Sequence, residues 1–546
     1  MNGAELLVQC LENEGVEMIF GIPGEENLVF LEALRNSKIR LILTRHEQAA
    51  GFMAATYGRL TGQPGVCLST LGPGATNFVT ASAYALLGGM PVLFITGQKP
   101  IKKSKQARFQ ILNVVRMMEP LTKFTKQIVN SGTIPALIRD IFRISINGKS
   151  GPVHIELPED IAFEQVDSIP FPALPVSYPV ANSEAIRQAA DMIRQAKFPL
   201  FLFGAACNRN HICPVARQLI ESTGIFFFTT QMGKGVVDEH SAQCLGTAAL
   251  SDHDYLHCAI DHADIIINIG YDVVEKPPFF MRRGGTKVIH IHFAPADIDE
   301  VYFPHHEVIG DIKHTLQALI DEFSNDERQD NKYFHRIHTE IKTHVFEAQG
   351  HNSFPSTPQH IVSDIHKTVA ATSIVSLDNG MYKIWFGRNY KATHPHSLLL
   401  DNALATMGAG FPAAITAKLV HPEKQVICVC GDGGFLMNSQ ELETAVRLNL
   451  HLVLIILCDN GYGMIKWKQK GMNFPDFGLD FNNPDFIQYA ESYGARGYRI
   501  TENGTFTGIL SRCLHNPGIH LIEIPVDYSE NERVFLQELQ NKTCLL

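Results

Sequence analysis

Short β-branched and apolar runs alternate with helix-patterned stretches almost from one end of the chain to the other, and this alternation constrains the fold more than any other feature. The runs Ile39–Leu43, Val92–Thr96, Pro199–Phe203, Ile265–Ile269, Lys287–Ile291, Thr372–Ser376, Gln425–Cys430 and Leu452–Cys458 read as strands buried on both faces. Strand, helix and strand in repetition require parallel sheets, because a parallel neighbour is reached only by a crossover. Two stretches break the rhythm. Residues 163–182 carry Pro170, Pro172, Pro175 and Pro179 and read as a semi-rigid linker, and residues 324–358 are polar and charged around one helix before a Ser and Pro cluster. The expected fold class is α/β, with three doubly wound parallel-sheet domains at 1–165, 183–325 and 355–546.

Composition narrows the function classes. The 546 residues give room for several cores, and 45% hydrophobic with 19% charged residues is an ordinary globular mix. Lys and Arg number 46 against 56 Asp and Glu, a net of -10 that repels polyanions, so no nucleic acid partner is expected. No apolar run approaches the ~20 residues that span a bilayer, so no membrane is expected either. The segment Met1–Gly15, with Glu5, Glu12 and Glu14 and no basic residue, reads as a first helix and not a signal peptide. A cytoplasmic protein is expected. Its eleven cysteines include no Cys-x-x-Cys and read as buried thiols of a reducing compartment; His290, His292, His305 and His306 have no carboxylate or thiolate at ligand spacing and read as structural.

Open α/β sheets bind ligands beyond the carboxyl ends of their strands. In Gln425–Leu450 a strand runs into Gly431-Asp432-Gly433-Gly434, and Asn438-Ser-Gln-Glu441 fits a capping box opening the next helix. Glycines there let backbone N–H groups approach a phosphate, while Asp432 can hold the hard cation that neutralises it. The following strand ends in Asp459-Asn460-Gly461. Adjacent parallel strands would let Asp432, Asp459 and a carbonyl near Gly461 share one Mg²⁺; turns with no ligand are the plainer alternative. Glu47 heads the nearly uncharged stretch Gln48–Tyr57, where desolvation would raise its pKa and suit it to proton relay; pairing with Arg45 or His46 is the structural alternative.

Taken together, Arg45-His-Glu47, Leu71-Gly-Pro-Gly-Ala-Thr-Asn77, Gly431-Asp-Gly433 with Asp459-Asn460 beyond it, and Gly151-Pro-Val-His-Ile-Glu-Leu-Pro158 resemble the thiamine diphosphate-dependent enzymes of the acetolactate synthase type, over essentially the whole chain. The resemblance implies a pyrimidine-binding domain, a central domain and a diphosphate-binding domain. It implies thiamine diphosphate and Mg²⁺ as cofactors, with Glu47 promoting the imino tautomer of the aminopyrimidine and Met407 wedging the cofactor into its bent form. It places Gly24, Pro73, Asn77, Asn379, Gly380, Met381, Ala405, Gly431, Asp432, Gly433, Gly434, Asp459, Gly461, Tyr462 and Met464 at the cofactor, with Asp432, Asp459 and Gly461 on the metal.

Phe109 and Gln110, with Lys123 beyond them, resemble the substrate-side segment, Gln110 and Lys123 as catalytic groups. Asn268-Ile-Gly-Tyr271-Asp-Val-Val-Glu275-Lys-Pro277-Pro278 is similar to the catabolic, flavin-independent branch, and Gly204-Ala-Ala206 is a poor dinucleotide turn, so FAD is not expected. Glyoxylate carboligases lack the helix-head glutamate. Two departures stand out: Asp459 replaces the asparagine usual among metal ligands, with Asn460 as a substitute if the register slips, and Lys468 stands where relatives choose the acceptor keto acid. The implied activity decarboxylates pyruvate and ligates the carbanion to a second 2-oxo acid, giving 2-acetolactate. A non-ligating 2-oxo acid decarboxylase and a non-catalytic thiamine diphosphate sensor are the alternatives. The implied assembly is a homodimer or homotetramer sharing active sites at subunit interfaces.

Overall fold

The structure is a computed structural model describing residues 1–102, 108–175, 177–276, 281–347, 353–542 and 544. Its strands form three six-stranded sheets whose pairings run parallel. The first contains β1 (Met18–Gly21), β2 (Arg40–Leu43), β3 (Gly65–Ser69), β4 (Val92–Gln98), β5 (Phe124–Gln127) and β6 (Pro152–Pro158) in the order β2-β1-β3-β4-β6-β5. The second contains β7 (Pro199–Phe203), β8 (Phe227–Thr230), β9 (Cys244–Ala248), β10 (Ile265–Ile269), β11 (Lys287–His292) and β12 (His306–Ile309) in the order β12-β11-β10-β7-β8-β9. The third contains β13 (Ile374–Leu377), β14 (Leu398–Leu399), β15 (Val426–Gly431), β16 (Leu452–Cys458), β17 (Arg496–Arg499) and β18 (Ile519–Pro525) in the order β14-β13-β15-β16-β18-β17. The first and third sheets thus follow one strand plan, and the second follows the plan of dinucleotide-binding folds. Helices interleave with the strands throughout, as an α/β fold demands.

The central strands β4, β7, β10 and β16 are buried or nearly so along their length, which is why their sequences show no alternation. The polar stretch after β12 yields the helix Lys332–Ile341. Residues 348–352 of that stretch, residue 176 of the proline-rich linker, and Pro277 and Pro278 lie outside the described residues. Among the described residues no helix is long and apolar enough to cross a membrane. One expectation for the cysteines fails. Nine are free, but Cys258 and Cys544 form a disulfide that ties the end of the chain to the helix Tyr255–His262. His290 is buried, hydrogen-bonded to the Tyr302 hydroxyl and the Ala294 carbonyl oxygen.

The chain forms two compact units. One comprises residues 1–177 with 415–422 and 438–448; the other comprises 178–414, 423–437 and 449–546. Two short segments of the expected third domain therefore belong to the unit of the first sheet.

Candidate active site

In the first unit the chemistry gathers beyond the carboxyl ends of β1, β2 and β3. Glu47 opens the helix Glu47–Thr61, whose N-cap is His46, with Nδ1 accepting the Gln48 N–H at 3.0 Å. The helix packs through Ala, Gly and Phe side chains, so Glu47 is drawn into the interior and is only 9% exposed. Its Oε2 accepts from Asn77 Nδ2 at 2.9 Å, while a Cβ on Gly74 would lie 3.1 Å from Oε1. Neither Arg45 nor His46 is the partner that holds this carboxylate. Gly24 follows β1, and Pro73 is exposed in the turn that leads to Asn77.

Gly72 has φ +47°, and a Cβ there would come 2.9 Å from the Gln110 carbonyl oxygen. Gln110, itself at φ +58°, is thereby brought to the Gly72 turn, and Phe109 stands 64% exposed beside it. Lys123 is placed elsewhere: its Nζ donates to the carbonyl oxygens of Asn147 and Lys149 at 2.7 and 2.8 Å.

Glu441 does something the sequence did not suggest. The helix Glu441–Arg447 has Gln440 as N-cap with no side-chain bond, so the expected capping box does not form. The Glu441 carboxylate accepts the Arg45 and His46 N–H groups at 3.0 and 3.1 Å and the Thr444 hydroxyl at 2.6 Å. Two amide donors at the approach to another helix make charge-assisted bonds that outweigh a cap on its own helix. Burial raises its pKa despite those bonds.

In the second unit the third sheet carries the other constellation. Its strand order reverses between β13 and β15, and the turns beyond those strands and their neighbours enclose a cavity of about 280 Å³. Asn379, Gly380 and Met381 reach it from β13, Ala405 and Met407 from the loop after β14, Gly431 to Gly434 from β15, and Asp459, Gly461, Tyr462 and Met464 from β16. The Gly431 N–H donates to the Tyr382 hydroxyl at 2.9 Å. At Gly433 a Cβ would meet the Tyr462 ring at 3.0 Å and the Phe481 ring at 3.2 Å, so only glycine leaves this wall clear.

Asp432 is buried; its Oδ1 accepts from Gly433 N–H, and its Oδ2 from Asn460 N–H at 2.9 Å and Asn483 Nδ2 at 2.8 Å. Because β15 and β16 pair through Gly431 and Leu457, the Asp459 turn adjoins it. Burial, then repulsion from Asp432, pushes Asp459 up to about 7. Asp459 lines the cavity, whereas Asn460, at φ +53°, turns its backbone to Asp432. Lys468 is exposed on the helix Gly463–Gly471, its ammonium 4.6 Å from the Trp467 ring centroid. Asn483 and Lys383 were not singled out from sequence. Asn483 lies in an irregular segment without periodicity, but an ammonium among the apolar residues of Tyr382-Lys-Ile-Trp-Phe386 was a signal that could have found Lys383.

This cavity fits the diphosphate end of thiamine diphosphate with its cation. Asp432 lies close enough to raise the pKa of Asp459, as two donors to one cation would, and glycine-walled turns at strand ends let phosphate oxygens approach the backbone.

The second sheet, in the same unit, reverses its order between β7 and β10. There Glu275 fills the crevice. Its carboxylate accepts the Ala205 N–H at 3.1 Å, the Thr230 hydroxyl at 2.5 Å and the Asp272 N–H at 3.2 Å, and burial pushes it up to about 7.

Three family models match: the N-terminal TPP binding domain of thiamine pyrophosphate enzymes over residues 1–117, their central domain over 186–319, and their C-terminal TPP binding domain over 378–524. Fold and site thus define a thiamine pyrophosphate enzyme. The chain is 33% identical to the acetolactate synthase of Bacillus subtilis, over 97% of this chain and 94% of that protein. It is 34% identical to a probable acetolactate synthase large subunit of Methanocaldococcus jannaschii (97% and 93%) and 32% identical to the catabolic acetolactate synthase of Raoultella terrigena (97% and 96%). The chain belongs to the acetolactate synthase family of thiamine pyrophosphate enzymes.

Proposed function

We propose that the protein decarboxylates pyruvate and ligates the resulting two-carbon carbanion to a second 2-oxo acid, giving 2-acetolactate when both are pyruvate. The observation that carries this is the buried Glu47 held by Asn77, present together with the Asp432 and Asp459 pair. Thiamine diphosphate, when bound, supplies the carbon acid and the electron sink for decarboxylation. The chain's own residues supply position and protons. Asn77 fixes Oε2 of Glu47, which leaves Oε1 to hold and move a proton at the pyrimidine end. Asp432, Asp459 and the Gly461 carbonyl would hold Mg²⁺, Met407 would wedge the cofactor, and Gly24, Pro73, Asn379, Gly380, Met381, Ala405, Gly431, Gly433, Gly434, Tyr462 and Met464 would surround it. Phe109, Gln110 and Lys468 are the proposed substrate residues, and Gln110 and Lys123 the proposed catalytic groups beside Glu47.

FAD has no role in this proposal, and Glu275 supports that: its carboxylate takes the N–H donor at the one crevice where the second sheet would receive a dinucleotide phosphate. The proposed domains remain 1–165, 183–325 and 355–546. The proposed assembly is a homodimer or homotetramer in which one chain offers Glu47 and its partner Asp432. Nine free thiols support a cytoplasmic setting.

Pyruvate turnover with thiamine diphosphate and Mg²⁺, with product analysis, tests the proposal. Acetolactate or its decarboxylation product acetoin is expected, unchanged by added FAD; free acetaldehyde alone would return the protein to simple decarboxylases. Glu47→Gln should lower turnover by at least the ~10² typical of general acid–base groups while cofactor remains bound. Mixing Glu47→Gln chains with Asp432→Ala chains should recover activity that neither has alone; demonstrated subunit exchange without recovery would end the shared-site assembly.

A further inference from the structure

A buried ammonium is costly to desolvate and persists only where oxygens surround it. Among the described residues Lys234 and Lys383 are buried lysines. Lys234 pairs with Glu239. Lys383 instead donates to three neutral oxygens: Asn379 Oδ1 at 2.7 Å, and the Asp401 carbonyl oxygen and Asn402 Oδ1 at 3.1 Å.

Those oxygens belong to two segments of the cavity wall, the turn after β13 and the loop after β14. Further bonds link the same two segments. Asn379 Nδ2 donates to the Thr406 carbonyl oxygen at 2.7 Å, and the Asp378 carboxylate accepts the N–H groups of Gly408, Ala409 and Gly410 at 3.0 to 3.2 Å. On its other side the loop is fastened by Asn402 Nδ2 to the Glu275 carbonyl oxygen at 3.1 Å. Between these anchors stand Ala405, at φ +55°, and Met407, both on the cavity wall. A non-glycine residue at positive φ is held there only by its surroundings.

We propose that Lys383 is a positioning residue for the cofactor: its ammonium locks the loop Asp401–Met407 to the turn Asn379–Gly380, so that the wedge and the diphosphate turn keep one spacing before the cofactor arrives. This rests on the cavity being the cofactor site. Three donors radiating from one atom can hold three oxygens of two segments at once; glutamine has two donors and methionine none. Burial brings Lys383 down to about 8, opposed by Asp401 after β14 and Asp378 after β13 and reinforced by Lys276 after β10. Raising the pH from 7 to 9 therefore strips one of the three donors.

The test is binding of thiamine diphosphate with Mg²⁺ to the full-length protein without pyruvate, followed by equilibrium dialysis and by near-ultraviolet circular dichroism of the bound cofactor. Lys383→Met should raise the half-saturating cofactor concentration about tenfold, as loss of charged hydrogen bonds implies, and alter the dichroism at saturation. Between pH 7 and 9 wild-type affinity should fall several-fold relative to that of Lys383→Met, in which every other titrating group is retained. Should that variant fail to fold, Asn402→Ala, which removes one acceptor and the tie to Glu275, should weaken binding about threefold. Unchanged affinity, dichroism and pH profile in the variants would overturn the assignment of Lys383 alone. Failure of the wild-type protein to bind thiamine diphosphate would overturn the cofactor site and the positioning role together.

Discussion

Between β7 and β10 the second sheet closes its own crevice, with Gly204 packed against the Gly270 and Tyr271 backbone and Glu275 bonded to the Ala205 N–H. Between β13 and β15 the third sheet leaves a cavity, walled by Gly431 to Gly434 and bottomed by Asp432. Both places are strand-order reversals, where an α/β sheet offers a ligand the carboxyl ends of its strands. The difference lies in the residues that follow. A glutamate side chain fills the first crevice and accepts the turn's N–H, while glycines without side chains keep the second open, although the Gly431 and Gly433 N–H groups already donate to the Tyr382 hydroxyl and to Asp432. Strand order creates a crevice; a few side chains decide whether it is a site.

Three substitutions break or sharpen this contrast. Asp432→Ala should abolish retention of Mg²⁺ and thiamine diphosphate through purification, a larger effect than the ~100-fold typical of removing a metal ligand's outer partner. If the variant keeps stoichiometric cofactor, the open crevice is not the metal site. Lys234→Met, after β8 of the second sheet, takes from the buried Glu239 its ammonium partner and leaves the Ala392 N–H donating to it, and should destabilise the fold by about 3–5 kcal/mol in denaturation while the folded protein binds cofactor normally. Cofactor loss at full stability would mean that the second sheet is part of the site.

The smallest effect belongs to Glu275→Gln. Burial raises the folded carboxyl from its ordinary 4.5 to about 7, so the folded chain keeps a proton that the unfolded chain releases. Its stabilising contribution is complete below the unfolded value and disappears as pH rises through the folded one. Wild-type stability should therefore decline relative to Glu275→Gln between pH 4.5 and 7, by at most about 1.4 kcal/mol per pH unit. Parallel stability profiles would show that Glu275 is already ionised at pH 5.

Legibility from sequence followed the range of the interaction. Strands such as Ile265–Ile269 and Leu452–Cys458 emerged at their structural limits because burial on both faces writes itself into consecutive residues. The Asp432 and Asp459 turns could be joined because one strand pairing separates them. Glu47 was found, but its partner Asn77 came from a family motif and not from spacing. Asn483, Glu441 and the Lys383 network depend on side chains meeting across loops, and no local period encodes such meetings. Cys258 and Cys544 pair across 286 residues, and nothing in their immediate neighbours marks them.

The Glu441 carboxylate that receives the Arg45 and His46 amides lies 395 residues beyond His46. A ribosome adding roughly 5–20 residues per second makes that acceptor on the order of 20–80 s after it makes the donors. During that interval the approach to the helix that bears Glu47 lacks the acceptor that its Arg45 and His46 N–H groups have in the finished fold. The first sheet can collapse early in synthesis, yet the segment that presents its proton-handling carboxylate takes final form only when the chain is four-fifths made. A fragment ending at residue 177 would stay in that unfinished state.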